Sequence, residues 1–242
     1  MPYYKECNLL FIHIPKTGGT CIDTQICKSR KRTLHTIFRN DLLPEPYKNI
    51  SLQHQFYTTI YENRTILDIN FDKIKIFTIV RNPYDRIISD LFWLGEIHAE
   101  AERERRRGAG RRAGAASRAA RADRFKEFKV MKNKKITPEQ VYNLIKNIYI
   151  NNNKLDNHNQ PQYKFITDKN CNLIPNIKIF KTEQLNKSNH NINQFLGFNI
   201  HIRRNNVNKD YSRYLNKKSI SLINDFYKKD FELFDYKMKS AL

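Results

Sequence analysis

Phe11-Ile12-His13-Ile14-Pro15-Lys16-Thr17-Gly18-Gly19-Thr20 carries the pattern from which the fold of this chain is read. Its leading edge, Leu9-Leu10-Phe11-Ile12, is short, apolar and soon bounded by Pro15, the pattern of a buried strand in a parallel sheet. Past it, Cys21-Ile22-Asp23-Thr24-Gln25-Ile26-Cys27 places apolar residues at helical spacing. Between them lie one lysine, two glycines and two threonines. Strand, glycine-rich turn and helix start together make an anion site: glycine lets the backbone approach, the first amides of the helix point outward unpaired, and the helix dipole favours negative charge. Lys16 adds a mobile cation, and Thr17 and Thr20 add hydroxyl donors. The plain alternative is a strand-to-helix turn with a surface lysine.

The order is not that of a Walker A loop, in which lysine follows the glycines. A second site of the same kind lies downstream. Ile74-Lys75-Ile76-Phe77-Thr78-Ile79-Val80 is β-branched and apolar, and predicts a strand running into Arg81-Asn82-Pro83-Tyr84-Asp85-Arg86-Ile87-Ile88-Ser89. Pro83 suits the first turn of a helix, and Ile87, Ile88, Leu91 and Phe92 give that helix an apolar face. Arg81 offers a planar fork of donors and Ser89 a hydroxyl, so two elements can reach one phosphate. Arg86 reads as a solvated cation between them.

The two motifs, in this order, resemble the 5′-phosphosulfate loop and the 3′-phosphate signature of sulfotransferases that use 3′-phosphoadenosine 5′-phosphosulfate (PAPS). They are closest to the carbohydrate branch that includes the heparan sulfate 2-O- and 6-O-sulfotransferases. The ending Tyr227-x-x-Asp230-Phe231-Glu232-x-Phe234-x-Tyr236 is similar to the family's usual C-terminus, so the resemblance spans nearly the whole chain except 99–124. It implies a three-layer α/β, P-loop-like domain with a mainly parallel central sheet. It also implies roles. Lys16 would stabilise charge on the leaving oxygen. Thr17, Gly18, Gly19 and Thr20 would cradle the 5′ group, and Arg81 and Ser89 the 3′-phosphate. Asn208 and Lys209, in the basic loop 203–209, would fold over the nucleotide. The product would be adenosine 3′,5′-bisphosphate. No metal is expected, because no Asp or Glu cluster is built for magnesium.

Ile50-Ser51-Leu52-Gln53-His54-Gln55-Phe56-Tyr57 is a β-leaning run. The resembled family often ends such a strand in Gly-His; Gln53 replaces the glycine. His54 is the expected general base, since an imidazole near its ordinary pKa of about 6.5 accepts a proton at neutral pH; a core or surface histidine is the alternative. Asn157-His158-Asn159-Gln160-Pro161-Gln162 resembles a family segment near the acceptor, which makes His158 and Gln162 acceptor-side candidates. Glu183, in a segment resembling another family motif, is the next candidate base. Further elements are expected as a short strand over 34–38, a helix opened by Thr137-Pro138-Glu139-Gln140, a strand over 176–180, a helix around Ile192, Phe195 and Leu196, and an amphipathic C-terminal helix from Ile220 followed by an aromatic lock.

A chain of 242 residues buries one good core, so 1–242 is expected as one domain. A net charge of +20 attracts polyanions: nucleic acid, anionic lipid or acidic glycans. Residues 99–124 are almost all Ala, Arg, Glu and Gly, unlike their Asn-, Ile- and Lys-rich surroundings, and read as a disordered or loosely helical insertion able to contact nucleic acid or heparin. Four cysteines without metal spacing read as unpaired thiols. No apolar run reaches about 18 residues, so no membrane span is expected. Golgi relatives carry an N-terminal anchor that this chain lacks, which leaves a cytoplasmic protein or a lumenal piece. Two other function classes stay open. A P-loop-like nucleotide kinase needs the Walker order that is missing here. A non-catalytic basic protein binding glycosaminoglycan or nucleic acid accounts for the charge but not for two ordered phosphate motifs.

Overall fold

The computed structural model describes residues 3–29, 43–106, 123, 125–132, 135–153, 155–202 and 211–240. Four strands and seven α-helices are described: β1 (Tyr3–Tyr4), β2 (Leu9–Ile12), α1 (Gly19–Ser29), α2 (Tyr57–Glu62), β3 (Lys75–Val80), α3 (Pro83–Arg106), α4 (Pro138–Leu144), β4 (Ile177–Lys181), α5 (Asn189–Leu196), α6 (Lys217–Phe226) and α7 (Lys228–Leu233). By packing, the chain divides into two compact units. The first comprises Met1–Asn82, Leu155–Lys209 and Lys229–Tyr236; the second comprises Pro83–Lys154, Asp210–Lys228 and Lys237–Leu242.

The first unit is built on a sheet of order β1-β2-β3-β4. β1 is a short antiparallel edge; β2, β3 and β4 run parallel, with Phe11 opposite Phe77 and Phe77 opposite Lys178. The strands read as continuous apolar runs because both faces are covered. Leu10, Ile12, Ile76 and Val80 point to one face and pack with Leu52, Ile60, Phe165, Ile166 and Phe234. Leu9, Phe11, Phe77, Ile79 and Phe180 point to the other, against Ile22 and Ile26 of α1 and Ile192 and Leu196 of α5. Strand alternation thus sends successive residues into two cores, and the unit is a three-layer α/β arrangement with a mainly parallel sheet.

The second unit is helical. α4 begins as its sequence dictates, with Thr137 and Gln140 forming a reciprocal capping box and Pro138 just inside the start. It continues as a π-turn over Ile145–Tyr149. Arg86 corrects the expectation of a solvated cation: on α3 it is 1 % exposed. Its charge acts on the Tyr149 phenol, whose hydroxyl donates to Asp90 Oδ2 at 2.8 Å. Burial, with the Asp90 carboxylate beside it, holds that phenol far above its ordinary pKa. Arg86 and Asp90 are one helical turn apart, so the buried cation and carboxylate share one helix face.

The expected strands at 9–12, 74–80 and 176–180 and the expected helices are present within a residue or two; the C-terminal helix is two, α6 and α7. The run 50–57 is a correction. Leu52–His54 is a 3-10 turn and Tyr57 opens α2, so His54 does not end a strand. The expected strand at 34–38 lies outside the described residues. So does most of 99–124, although residues 99–106 form the end of α3. None of the four cysteines is in a disulfide among the described residues. No described helix is long and apolar enough to cross a membrane.

Candidate functional site

The loop after β2 turns the chain back within a few residues. Lys16 takes φ 65° and Gly18 takes φ 89°, after which α1 starts at Gly19. A lysine in the left-handed region is uncommon and has to be held there. Two threonines hold it. Thr17 is buried, and its hydroxyl donates to the Ile14 carbonyl at 2.8 Å; Thr182 Oγ1 donates to the Thr17 carbonyl at 2.5 Å. The Thr17 hydroxyl expected to face a ligand is therefore turned inward. Thr20 is exposed, Lys16 is half-buried, and no acidic residue occupies the first turn of α1. The positive end of that helix and Lys16 form one cationic corner.

Because β2 and β3 are parallel neighbours, the ends of both strands reach this corner together. Arg81, just past β3, donates from Nη1 to the Lys16 carbonyl at 3.1 Å. Its backbone is clamped by Gln162, whose Oε1 accepts from the Arg81 amide and whose Nε2 donates to the Arg81 carbonyl, both at 2.8 Å. Gln162 is itself fixed by Asp230. The Gln162 and Tyr163 amides donate to the two Asp230 carboxylate oxygens, each at 2.8 Å. Gln162 thus differs from its expected acceptor-side place: it is fully buried, and its side-chain amide is spent on Arg81. Glu183 is likewise committed, accepting the Asn82 amide at 2.8 Å and the Tyr236 hydroxyl at 2.9 Å.

The histidines form a second cluster in the same unit. His54 and His158 meet edge to face at 4.8 Å between ring centres, and His13 lies 5.6 Å from His54. His54 Nδ1 lies 2.8 Å from Asp156 Oδ2. A carboxylate accepts only, so Nδ1 carries the proton, and Nε2 keeps its lone pair. Nε2 makes no hydrogen bond among the described residues. Asp156 also accepts the Ser51 amide on Oδ1 and the Ser51 hydroxyl on Oδ2, both at 2.6 Å.

Burial dominates the electrostatics. His54, 4 % exposed, is pushed down to about 4 by burial; the Asp156 hydrogen bond pulls it upward and His158 adds to the fall. The sequence-based expectation of an ordinary imidazole near 6.5 is corrected accordingly. Burial first, then His54, holds His13 far below its ordinary value. Asp156 is pushed up by burial, but hydrogen bonds from His54 and Ser51 outweigh this and hold it below the ordinary carboxylate value. At neutral pH the cluster is therefore two neutral imidazoles, His13 and His54, and an ionised carboxylate.

His54, Asp156 and His158 each offer a ligand atom, all within 4.8 Å of one another, a donor set that could hold a transition metal. The Nδ1 to Asp156 hydrogen bond and metal ligation by the same atoms are competing uses. Of the expected residues, the structure brings Lys16, Thr17, Gly18, Gly19, Thr20 and Arg81 to one corner, and places His54 against His158. Ser89 is half-buried on α3 in the second unit. Asn208 and Lys209 lie outside the described residues. Sequence reasoning missed His13, Ser51, Asp156 and Asp230. Asp156 stands two residues before His158, and His13 stands inside the loop motif, so proximity to motifs already singled out was the available signal.

The family model described as "Sulfotransferase family" matches residues 3–237, nearly the whole chain. No curated protein and no solved structure matches it.

Proposed function

The chain belongs to the sulfotransferase family, and on that premise we propose that it moves a sulfuryl group from PAPS to a hydroxyl, with a carbohydrate hydroxyl as the acceptor class. The observation that carries the reading is the pairing, in one unit, of a cationic corner at Lys16 and Arg81 with a neutral, carboxylate-bound histidine whose Nε2 is unprotonated. The corner fits an anionic phosphosulfate: a helix start without acidic residues, a lysine beside it and an arginine on the adjoining strand end.

The donor supplies an activated sulfuryl group and a phosphate leaving group. His54 Nε2 takes the acceptor hydroxyl proton while the acceptor oxygen bonds to sulfur and the bond from sulfur to the 5′-phosphate oxygen breaks. Lys16 compensates the charge that develops on that leaving oxygen, and Arg81 holds the 3′-phosphate. A His54 poised at about 4 stays neutral while awaiting substrate; an anionic donor nearby raises its basicity, because opposite charge favours the imidazolium. The carbohydrate acceptor, and the heparan sulfate branch in particular, rest on the motif resemblance; the charge of +20 suits an acidic glycan.

The test combines calorimetry with adenosine 3′,5′-bisphosphate and transfer from labelled PAPS to a panel of desulfated glycans, tyrosine peptides and phenols. Binding of micromolar class that persists in moderate salt, with label on a glycan, is the expected outcome. Weak binding lost in salt, with no label transferred, would identify a plain polyanion binder instead.

A further inference from the structure

We propose that Asp156 is a positioning residue that fixes the tautomer of His54, so that Nε2 rather than Nδ1 meets the acceptor hydroxyl. The proposal rests on the reading of His54 as general base, and names the group that makes it one.

Three donors converge on the two Asp156 oxygens. The Ser51 amide reaches Oδ1 at 2.6 Å; the Ser51 hydroxyl and His54 Nδ1 reach Oδ2 at 2.6 and 2.8 Å. The carboxylate has lone pairs for all three and no proton to give. The turn that carries it is unusual. Asp156 and Asn157 both take left-handed backbone conformations, φ 53° and 61°, a region that Asp and Asn enter more readily than other residues with a Cβ, but mostly one at a time. From the same turn, Asn157 Nδ2 donates to the His54 carbonyl at 3.0 Å. The turn therefore grips His54 by its backbone and by its ring, across 102 residues of sequence. Backbone held in sparsely populated conformations clusters at functional sites.

Asp156→Asn tests the idea without changing size. An amide has one acceptor oxygen and one donor nitrogen, so it cannot receive from the Ser51 amide on one side and from His54 on the other. If its oxygen stays on the Ser51 amide, its NH2 faces Nδ1, which must then become the acceptor. The proton moves to Nε2, and the base is lost. We expect Asp156→Asn to lower kcat by at least about a hundredfold, the usual general-base range, with the roughly ten-thousandfold loss of wrong-tautomer triad variants as the upper mark. Affinity for adenosine 3′,5′-bisphosphate should stay within about twofold of wild type, since the residue belongs to the histidine cluster and not to the loop.

The readout that a merely structural role would not move is the ring 15N spectrum of His54. In wild type it should report Nδ1–H, and in Asp156→Asn, Nε2–H. Turnover of Asp156→Asn within about threefold of wild type, or a wild-type His54 protonated on Nε2, overturns the proposal. If Asp156→Asn does not fold, Ser51→Ala decides: it removes one of the three donors and should lower kcat about three- to tenfold with KM unchanged; unchanged kcat counts against the proposal. Should wild type transfer label to no acceptor, the enzymatic reading fails separately, and the 15N spectrum still judges the tautomer.

Discussion

Gly19→Ala is the sharpest probe of how the anion loop is seated. Gly19 opens α1 and is not among the residues with positive φ, so its backbone tolerates alanine. The obstacle is steric. A Cβ there would lie 2.4 Å from His13 Cδ2, 2.6 Å from His13 Nε2 and 2.7 Å from Phe11 Cζ. Restoring ordinary contact means opening about 1 Å of space between α1 and β2. Neither ring has room to yield. Phe11 is buried and stacks on Phe77 at 4.6 Å; His13 stacks on Phe11 at 5.4 Å and meets His54 beyond it. Overpacking a buried contact of this kind costs about 1–3 kcal/mol, and the helix preference of alanine over glycine returns about 1 kcal/mol. The net loss of about 0–2 kcal/mol should lower Tm by up to about 8 °C for a chain of this size. The larger effect should fall on function, because α1 carries the anion corner and His13 transmits any shift to the base. Bisphosphate affinity should drop about tenfold and turnover further. Urea melts, calorimetry and labelled-donor turnover on the same preparations measure all three. Gly19→Ala with wild-type affinity and wild-type turnover would refute the argument that the glycine is there for its close approach to His13.

Arg81→Ala should weaken adenosine 3′,5′-bisphosphate binding by about 1.5–3 kcal/mol, ten- to a hundredfold or slightly more in Kd, and leave a ligand without the 3′-phosphate nearly unaffected by calorimetry. His54→Ala should reverse that pattern, with nucleotide affinity retained and turnover down at least about a hundredfold; if His158→Ala abolished turnover instead, the base would be reassigned to it. Stability should fall on acidification: His54 is lowered to about 4 in the fold, so between about pH 6.5 and 4 the unfolded chain takes up a proton that the folded chain refuses, costing roughly 3 kcal/mol. Urea midpoints against pH should show that loss in wild type and a shallower one in His54→Gln. Chelator should leave turnover unchanged, while added zinc should inhibit by taking the His54, Asp156 and His158 atoms, an effect read by dose dependence and lost in His158→Ala.

The two phosphate-type elements were legible in the sequence because their causes are local. Buried parallel strands appear as unbroken apolar runs, and Pro15, Gly18 and Pro83 mark where those runs must turn. The stretch 50–57 was not legible for the opposite reason. Its apolar and polar residues alternate passably as a strand, yet Ser51 and His54 are tied to Asp156 more than a hundred residues away, and those bonds favour a 3-10 turn. Arg86 was misread because charge predicts solvation unless the face that carries it is buried, and Tyr149, which meets Asp90 on that face, comes near only in the fold. The depressed basicity of His54 is likewise a property of burial and of the neighbouring His158, which no spacing rule reports.

Gln162 shows how a motif can be recognised while its work is misassigned. Its neighbourhood pointed toward the acceptor, but its amide closes two hydrogen bonds on the Arg81 backbone, and a buried Asp230 closes two more on the Gln162 and Tyr163 amides. Arg81 in turn reaches the Lys16 carbonyl. The acidic residue of the C-terminal Tyr-x-x-Asp-Phe signature is thus three steps from the lysine of the first motif, linked by buried and half-buried polar contacts. An aromatic lock alone would require only hydrophobic residues at the end of the chain. A carboxylate fits because the adjacent Gln162 and Tyr163 amides both point at the buried Asp230, and each takes one of its two oxygens. Three segments that look like separate signatures in the sequence form one support for the position of Arg81, and a change at any of them is a change at the anion corner.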